Sequence, residues 1–199
     1  MLVGYKWVFM RKQNEKNEII RYKAQLVARG FSQRLGIDYK ETYALVMDAI
    51  TLRVLISLVT KENLDMRLMD VVIAYLYGSL DNDIYMKIPE EYKMPETYNS
   101  TSRSMYSIKL RSLYGLKQFG CMWYNHLNEY LLKEGFENNP ICPCVFNQKK
   151  KKKLESGFAI VVLYVDDLKL VGTLEELTKT TNCLKNEFEM KDLGKKILS

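Results

Sequence analysis

The stretch that most constrains this chain is residues 160–171, which read IVVLYVDDLKLV. It has the apolar composition of a buried strand pair, but it contains two adjacent carboxylates, Asp166 and Asp167. Neighbouring side chains of a regular strand point to opposite faces, so these two would not share one environment. A tight turn at the pair resolves this. The sequence therefore predicts a β-hairpin with arms at 158–165 and 168–171 and both carboxylates at its tip.

Two carboxylates at one tip repel each other. At ~6 Å the repulsion is roughly 3 kcal/mol for an effective dielectric near 20. A divalent cation relieves it, and carboxylate oxygens suit Mg²⁺ or Mn²⁺. A solvated turn also relieves it, because Asp is a common turn residue. The dipeptide alone leaves both interpretations open.

A third acid strengthens the first interpretation. Asp70 follows Leu68 and Met69 and precedes the apolar residues 71–76, so it lies at the end of another predicted strand. Acids at the ends of different strands can meet at one edge of a sheet. Such a set can hold two cations about 3.5–4 Å apart that act on a phosphoryl group. A metal site of this kind is the hypothesis that the three acids raise.

Bulk properties narrow the class of protein. The 199 residues are 47% hydrophobic, which predicts a folded chain of one compact domain or two subdomains. A net charge of +6 favours a polyanionic partner without proving one. The four cysteines lack zinc-site spacing, so reduced thiols are expected. No signal peptide or membrane span is visible, which favours an intracellular, non-membrane protein.

Local patterns mix strands and helices without strict alternation, which predicts an α+β fold. Strands are expected at 5–10, 19–28, 84–88 and 107–110, and helices at 51–64, at 122–134 and after Thr173. The residues 90–104 are interpreted as a loop. The five lysines at 149–153 are interpreted as a solvated hairpin tip, with phosphate contact as the alternative.

Helix ends carry their own signals. Thr51 or Asp48 is available to cap the first predicted helix, and Gly135 lies where the second should end. Thr173 followed by Glu176 predicts a capping box at the start of the last helix.

Seven ordered stretches carry a family resemblance. They are YKWVF (5–9), RYKAQLVARGFSQRLGIDYKETY (21–43), MDVVIAYLYGSL (69–80), IYMKIPEEY (84–92), SLYGLKQ (112–118), YVDD (164–167) and EFEMKDLG (187–194). Together they make the chain resemble, nearly end to end, the reverse transcriptase of copia-type long-terminal-repeat retrotransposons. The resemblance implies an RNA-directed DNA polymerase of the right-hand type. Its ferredoxin-like palm would comprise residues 63–84 and 112–199, and its fingers residues 1–62 and 85–111. Thumb, RNase H and integrase are expected to be absent.

The resemblance also implies a catalytic site. Asp70, Asp166 and Asp167 match the family's catalytic and metal-binding acids, with the Val71 carbonyl as an added ligand. The cofactor would be two Mg²⁺ ions, with Mn²⁺ as an alternative, acting in nucleotidyl transfer from a deoxynucleoside triphosphate to a primer 3′-hydroxyl.

Substrate contacts follow in the same way. Lys23, Tyr75, Tyr114 and Gly115 would bind the nucleotide, and Arg29 and Lys117 the phosphates of an RNA or DNA template with its primer. Without the resemblance, we would interpret Tyr75 as a core aromatic residue and Lys23 as a solvated lysine of an edge strand. The expected location is the cytoplasm, in a virus-like particle, or the nucleus.

Several residues depart from the family pattern. MDVVIAYLYG stands where the family usually has MDVKTAFLNG, Gln25 replaces an Arg, and 119–121 replace Ser-Pro-Arg. These positions would orient substrate, and misplaced substrate costs rate. The alternative hypothesis is therefore a catalytically inactive remnant of a retrotransposon that retains only nucleic-acid binding.

Overall fold

The computed structural model describes residues 2–40, 42, 47–72, 84–90, 92–93, 107–110, 114–149 and 157–195. The chain divides into two compact units. The first comprises residues 1–42 and 78–122, and the second residues 43–77 and 123–199. Both contain β-sheet, and three α-helices lie within the described ranges.

The first unit begins with the hairpin that the sequence predicts. After the short strand β1 (Leu2–Val3), β2 (Tyr5–Gln13) pairs antiparallel with β3 (Ile19–Ala28). Asn14 closes the connection, because its side-chain oxygen accepts hydrogen bonds from the amides of Lys16 and Glu18. Asx turns of this kind favour chain reversal. The N-terminal hairpin is therefore confirmed.

A second sheet in this unit has three strands, ordered β1-β5-β6. β5 (Ile84–Lys87) is parallel to β1 and antiparallel to β6 (Ser107–Leu110). Both later strands agree with the sequence prediction. The predicted loop at 90–104 lies mostly outside the described residues, as does the lysine run beyond Lys149.

The second unit is built on one six-stranded sheet in which every neighbouring pair is antiparallel. In spatial order its strands are β11 (Met190–Lys195), β4 (Asp65–Val71), β10 (Asp167–Gly172), β9 (Ala159–Tyr164), β8 (Val145–Gln148) and β7 (Phe136–Asn138). The helices are α1 (Ala49–Lys61), α2 (Phe119–Lys133), whose first turn is grouped with the first unit, and α3 (Leu174–Glu187). The strands β4 and β10 occupy the interior of this sheet.

The core of the second unit forms between the sheet and its helices. Leu168 and Leu170 of β10 are fully buried in one cluster with Leu127 of α2 and Leu184 of α3. Each such side chain contributes roughly 1.5–3 kcal/mol by leaving water. A smaller cluster joins α1 to the far ends of the strands. The central strands are therefore fixed along most of their length by apolar packing.

The N-terminal cap agrees with the sequence prediction at α1 and differs from it at α3. Of the two caps that the sequence offers, Thr51 and Asp48, the structure has Asp48, whose carboxylate accepts a 2.6 Å hydrogen bond from the Thr51 amide. The predicted capping box at α3 is wrong, because the Thr173 hydroxyl makes no capping hydrogen bond. Glu176 accepts instead from Gln148 Nε2 and Lys179 Nζ, both at 2.7 Å. These tertiary and local partners outcompete the backbone amide that a capping box requires.

The chain has a mixed architecture of sheets and helices, in agreement with the mixed fold that the sequence predicts. Within the described ranges, no helix has the length and apolar character needed to cross a membrane.

Candidate catalytic carboxylate site

The Asp-Asp pair lies at the connection between β9 and β10. Asp167 is paired with Tyr164, so only Val165 and Asp166 form the turn. The predicted hairpin is present, but the two acids differ: Asp166 is in the turn and Asp167 is the first residue of β10. Val165 has a φ of 56°. That conformation is strained for a β-branched residue, and strain of this kind tends to persist at functional sites.

Asp70 lies directly across from Asp167. The two residues are register partners on β4 and β10, and the next step of the ladder is a 3.1 Å hydrogen bond from the Val71 amide to the Asp166 carbonyl. Asp70 and Asp167 therefore form a non-hydrogen-bonded pair, in which Cα atoms are about 4.5 Å apart and the side chains share a face. The sheet register thus joins acids that are far apart in sequence.

A row of cross-strand partners extends from this pair on both sides. Lys191 of β11 is opposite Asp70, and Tyr164 of β9 is opposite Asp167. The Lys169 ammonium lies 4.8 Å from the centre of the Tyr164 ring, a cation–π contact. Like charges directly opposite each other destabilise a sheet, whereas opposite charges stabilise it. Lys191, opposite Asp70, is therefore a favourable cross-strand neighbour of this carboxylate.

The carboxylates are partly buried, and the Asp166 Oδ1 atom has almost no solvent exposure. Their oxygen-only donor set is the kind that Mg²⁺ and Mn²⁺ prefer. In the described part of the chain, however, no group of three or more His, Cys, Asp or Glu side chains is arranged to hold a metal ion. The backbone brings the donors to one place, but the side chains are not gathered around one point.

Trp123 anchors the turn from the core. Its indole Nε1 donates a 3.2 Å hydrogen bond to the Val165 carbonyl, and its ring is 2% exposed. The ring also meets Phe188 edge to face, with centroids 5.2 Å apart. A buried donor on a packed ring holds the turn carbonyl in a fixed position, which limits the freedom of the neighbouring Asp166.

In the first unit, Tyr114 and Gly115 pack against the end of β3. The Ala28 amide donates a 2.7 Å hydrogen bond to the Tyr114 carbonyl. Gly115 has a φ of 95°, and a Cβ at this position would overlap the Ala28 carbonyl oxygen. A Cβ on Gly30 would overlap the Gly115 carbonyl in turn. The close approach that Gly115 permits here is therefore to the protein's own backbone.

Nearby, Lys117 contacts the buried side chain of Gln33, so the segment after β3 is joined to the segment that follows Gly115. The Lys117 ammonium donates to the Gln33 carbonyl at 3.0 Å and lies 5.2 Å from the Tyr39 ring centre. The Gln33 side chain, 3% exposed, accepts from the Lys117 amide and donates to the Gln118 side chain. The ammonium thus already has protein partners, and its contact with phosphate stays a prediction.

Lys23 and Arg29 are both exposed. By strand alternation Lys23 shares one face of the hairpin with Lys6, Lys12 and Arg21. The Arg29 amide donates a 2.8 Å hydrogen bond to the Gly4 carbonyl, which fixes the backbone of this residue. Tyr75, the remaining predicted nucleotide contact, lies outside the described residues.

Comparison with known families shows which family the chain belongs to. A family model described as reverse transcriptase (RNA-dependent DNA polymerase) matches residues 2–198. The chain belongs to the reverse transcriptase family.

Relatives place this reverse transcriptase domain among copia-type elements. It is 35% identical over 190 residues to the retrovirus-related Pol polyprotein from transposon TNT 1-94 of Nicotiana tabacum, and 35% over 193 residues to that from transposon RE1 of Arabidopsis thaliana. The transposon Ty1-DR5 Gag-Pol polyprotein of Saccharomyces cerevisiae is 28% identical over 198 residues. These alignments cover 95–96% of the chain but only 10–14% of the relatives. The family resemblance seen in the sequence is confirmed.

The candidate site contains residues that the sequence analysis did not identify. Lys191 belongs to the EFEMKDLG motif, so the sequence marked its segment as part of the family pattern. That Lys191 lies opposite Asp70 depends on the pairing of β11 with β4, which the motif does not reveal. Val165 belongs to the YVDD motif, which the sequence analysis placed at a turn. Trp123 carried none beyond helical periodicity, because its hydrogen bond to the turn is a tertiary contact.

Proposed function

We propose that this chain is an RNA-directed DNA polymerase domain that extends a primer 3′-hydroxyl with deoxynucleotides. Residues 63–84 and 112–199 would act as the palm of a right-hand polymerase, and residues 1–62 and 85–111 as its fingers. The observation that carries the proposal is the register of Asp70 opposite Asp167, with Asp166 in the adjoining turn. Membership of the reverse transcriptase family supports the same reaction.

The carboxylates would hold the divalent cations of the reaction. Asp70, Asp166 and Asp167, with the Val71 carbonyl, supply hard oxygen donors for two Mg²⁺ or Mn²⁺ ions. When bound, such ions supply Lewis-acid stabilisation of the attacking and leaving oxygens. The repulsion between two directly opposed carboxylates favours cation binding.

The protein's own residues keep these donors in place. Backbone pairing between β4 and β10 fixes Asp70 against Asp167, and the amide of Val71 holds the carbonyl of Asp166. The indole of Trp123 holds the neighbouring carbonyl of Val165. With the backbone fixed in this way, only rotations of the carboxylate side chains would be needed to complete the site.

Substrate binding would involve basic and aromatic residues other than the three acids. Lys23 would contact the triphosphate, with Tyr114 and Gly115 near the nucleotide and Tyr75 near its ribose. Arg29 and Lys117 would contact template or primer phosphates. The basic hairpin face that contains Lys23 supports this assignment, because phosphate contacts supply sequence-independent affinity.

Primer extension on poly(rA)·oligo(dT) with Mg²⁺ tests the proposal. The wild-type chain should incorporate deoxythymidine, and Asp166→Asn should lower the rate on the order of 100-fold or more. Asp65→Asn is the matched control, because Asp65 lies at the other end of β4, opposite Gly172. It should retain the wild-type rate.

A wild-type chain that incorporates no more than Asp166→Asn contradicts the proposal. Salt-sensitive binding of an RNA–DNA duplex that is unchanged in Asp166→Asn would then identify the alternative, an inactive remnant that binds nucleic acid.

A further inference from the structure

Two cysteines meet at the start of β8, apart from the carboxylate site. Cys142, Pro143, Cys144 and Val145 form a β-turn closed by a 2.9 Å hydrogen bond from the Val145 amide to the Cys142 carbonyl. Pro143 is at the second position of this turn, where its fixed φ is favourable. The two Sγ atoms are 3.1 Å apart. The turn therefore holds two thiols side by side.

Both cysteines are fixed by their surroundings. The Cys142 amide donates to Asn139 Oδ1 at 3.1 Å, and the Thr51 hydroxyl contacts the Cys142 Sγ at 3.7 Å. The Cys144 carbonyl accepts from the Leu163 amide at 2.9 Å, which ties this residue to β9. Forming a bond between the sulfurs needs them to approach by only about 1 Å, since a disulfide is about 2.05 Å long.

The surroundings also bear on what the pair can do. Among the described residues no third Cys, His, Asp or Glu joins it in a metal-holding group. The remaining cysteines, Cys121 and Cys183, are not in disulfides, and the Cys183 sulfur contacts the Tyr130 hydroxyl at 3.1 Å. Disulfide formation between the two adjacent thiols is therefore the chemistry that this geometry favours.

We propose that Cys142 and Cys144 form an oxidation site that a hydroperoxide converts into an intrachain disulfide. The Cys142 sulfur attacks the peroxide, the O–O bond breaks, and water (or an alcohol) leaves with a sulfenic acid on Cys142. The Cys144 sulfur then displaces the sulfenic hydroxyl as a second water, and the S–S bond forms. Two thiols lose two protons and two electrons, which the hydroperoxide takes up.

The order of these steps follows from accessibility. Cys142 is partly exposed, whereas Cys144 is 2% exposed. Burial raises the pKa of the Cys144 thiol above its ordinary value, with the neighbouring Cys142 adding to the effect. The thiolate is the reactive form, so Cys142 is the thiol that meets the oxidant and Cys144 the one that resolves it. This inference does not depend on polymerase activity.

The test treats the folded full chain with hydrogen peroxide, quenches with catalase and alkylates the remaining thiols before trypsin digestion. Cleavage after Lys133 and Lys149 places Cys142 and Cys144 together on the peptide 134–149, while Cys121 and Cys183 fall on others. We expect 134–149 to become two hydrogens lighter and to lose both alkyl groups, reversibly with dithiothreitol. The Cys121 and Cys183 peptides should stay alkylated.

Serine variants complete the test. Cys142→Ser and Cys144→Ser should each abolish the lighter peptide, whereas Cys183→Ser, the matched control, should leave it unchanged. The peroxide concentration is raised until Cys121 or Cys183 begins to lose its alkyl group. The proposal is overturned if, up to that concentration, 134–149 keeps both alkyl groups, gains oxygen on either sulfur, or becomes linked to another peptide.

Discussion

Asp70 and Asp167 are direct cross-strand partners on β4 and β10, with no backbone hydrogen bonds between them because the ladder bond falls on the next pair. Such pairs bring side chains closest together, and two carboxylates in this position repel each other. The repulsion between the two carboxylates lowers the stability of the sheet, whereas the proposed chemistry requires both of them.

Neutralising one member of this pair should stabilise the protein while it impairs catalysis. In EDTA, Asp167→Asn should raise the free energy of unfolding by about 0.5 kcal/mol, because it removes a like-charge pair. Millimolar Mg²⁺ should stabilise the wild type and have a smaller effect on the variant. Urea unfolding with and without Mg²⁺ measures both effects.

The control for this prediction is Asp192→Asn. The amide of Gly194, and then the ammonium of Lys185, lower the pKa of the Asp192 carboxyl by hydrogen bonding to it. Neutralising it should therefore destabilise the protein. If Asp167→Asn were destabilising to the same degree, the repulsion argument would be wrong.

Replacing the strained turn residue should separate stability from activity. Val165 has a φ of 56°, which a side chain with two γ-methyl groups adopts at a cost and glycine adopts freely. Val165→Gly should stabilise the protein by roughly 1 kcal/mol, the relief of strain less the added entropy of the unfolded chain. Primer extension should slow, because the position of Asp166 becomes less fixed.

Val54→Gly gives the comparison, since Val54 is an exposed residue of α1 in ordinary helical conformation. It should lower the melting temperature, as glycine weakens a helix. Equal losses of stability in the two variants would show that the turn stores no strain.

Gly115 and Gly36 both have positive φ, but only Gly115 packs against the backbone of Ala28. Replacing Gly115 with alanine should therefore destabilise the protein much more than the same change at Gly36. Gly115→Ala should destabilise the first unit by about 3 kcal/mol or more, because the new Cβ overlaps the Ala28 carbonyl and the φ of 95° is unfavourable. Gly36→Ala, at a φ of 80° with open space around it, should cost only about 1–2 kcal/mol. Hydrogen exchange of the β3 amides reports the difference, and similar protection in both variants would refute it.

The contact between Glu176 and Gln148 predicts a pH dependence of stability. Hydrogen bonds from Lys179, and then from Gln148, lower the pKa of Glu176 below its ordinary 4.5. A carboxyl with a lowered pKa stabilises the folded state above the unfolded-state pKa, and this contribution is lost as the pH falls through the folded-state value. Glu176→Gln should therefore be about 1 kcal/mol less stable than wild type at pH 7, and the gap should narrow as the pH falls through the lowered folded-state pKa of Glu176.

Thermal unfolding between pH 3 and 7 measures that gap. Glu175→Gln is the matched control, because Glu175 contacts the same Lys179 but is 78% exposed. Its effect should be small, as for most exposed ion pairs. A gap for Glu176→Gln that is constant across this pH range would contradict the assignment.

Much of the local structure was predictable from sequence because its causes are short-range. The hairpin at 5–28 follows from strand-forming residues around an Asn-initiated turn, and the start of α1 follows from Asp48 three residues before the amide that it caps. The ordered motifs, from RYKAQLVARG to YVDD, were enough to identify the reverse transcriptase family.

The tertiary structure decided which distant groups meet. The sequence placed acids at strand ends, but only the pairing of β4 between β10 and β11 puts Asp70 opposite Asp167 on one side and Lys191 on the other. Tertiary contacts also chose the partners of two other side chains. Glu176 accepts a hydrogen bond from Gln148 in place of the predicted capping interaction, and the Lys117 ammonium donates to the Gln33 carbonyl. Strand register and side-chain partners depend on how the apolar faces pack across the whole sheet, and that packing is a property of contacts between residues far apart in the chain.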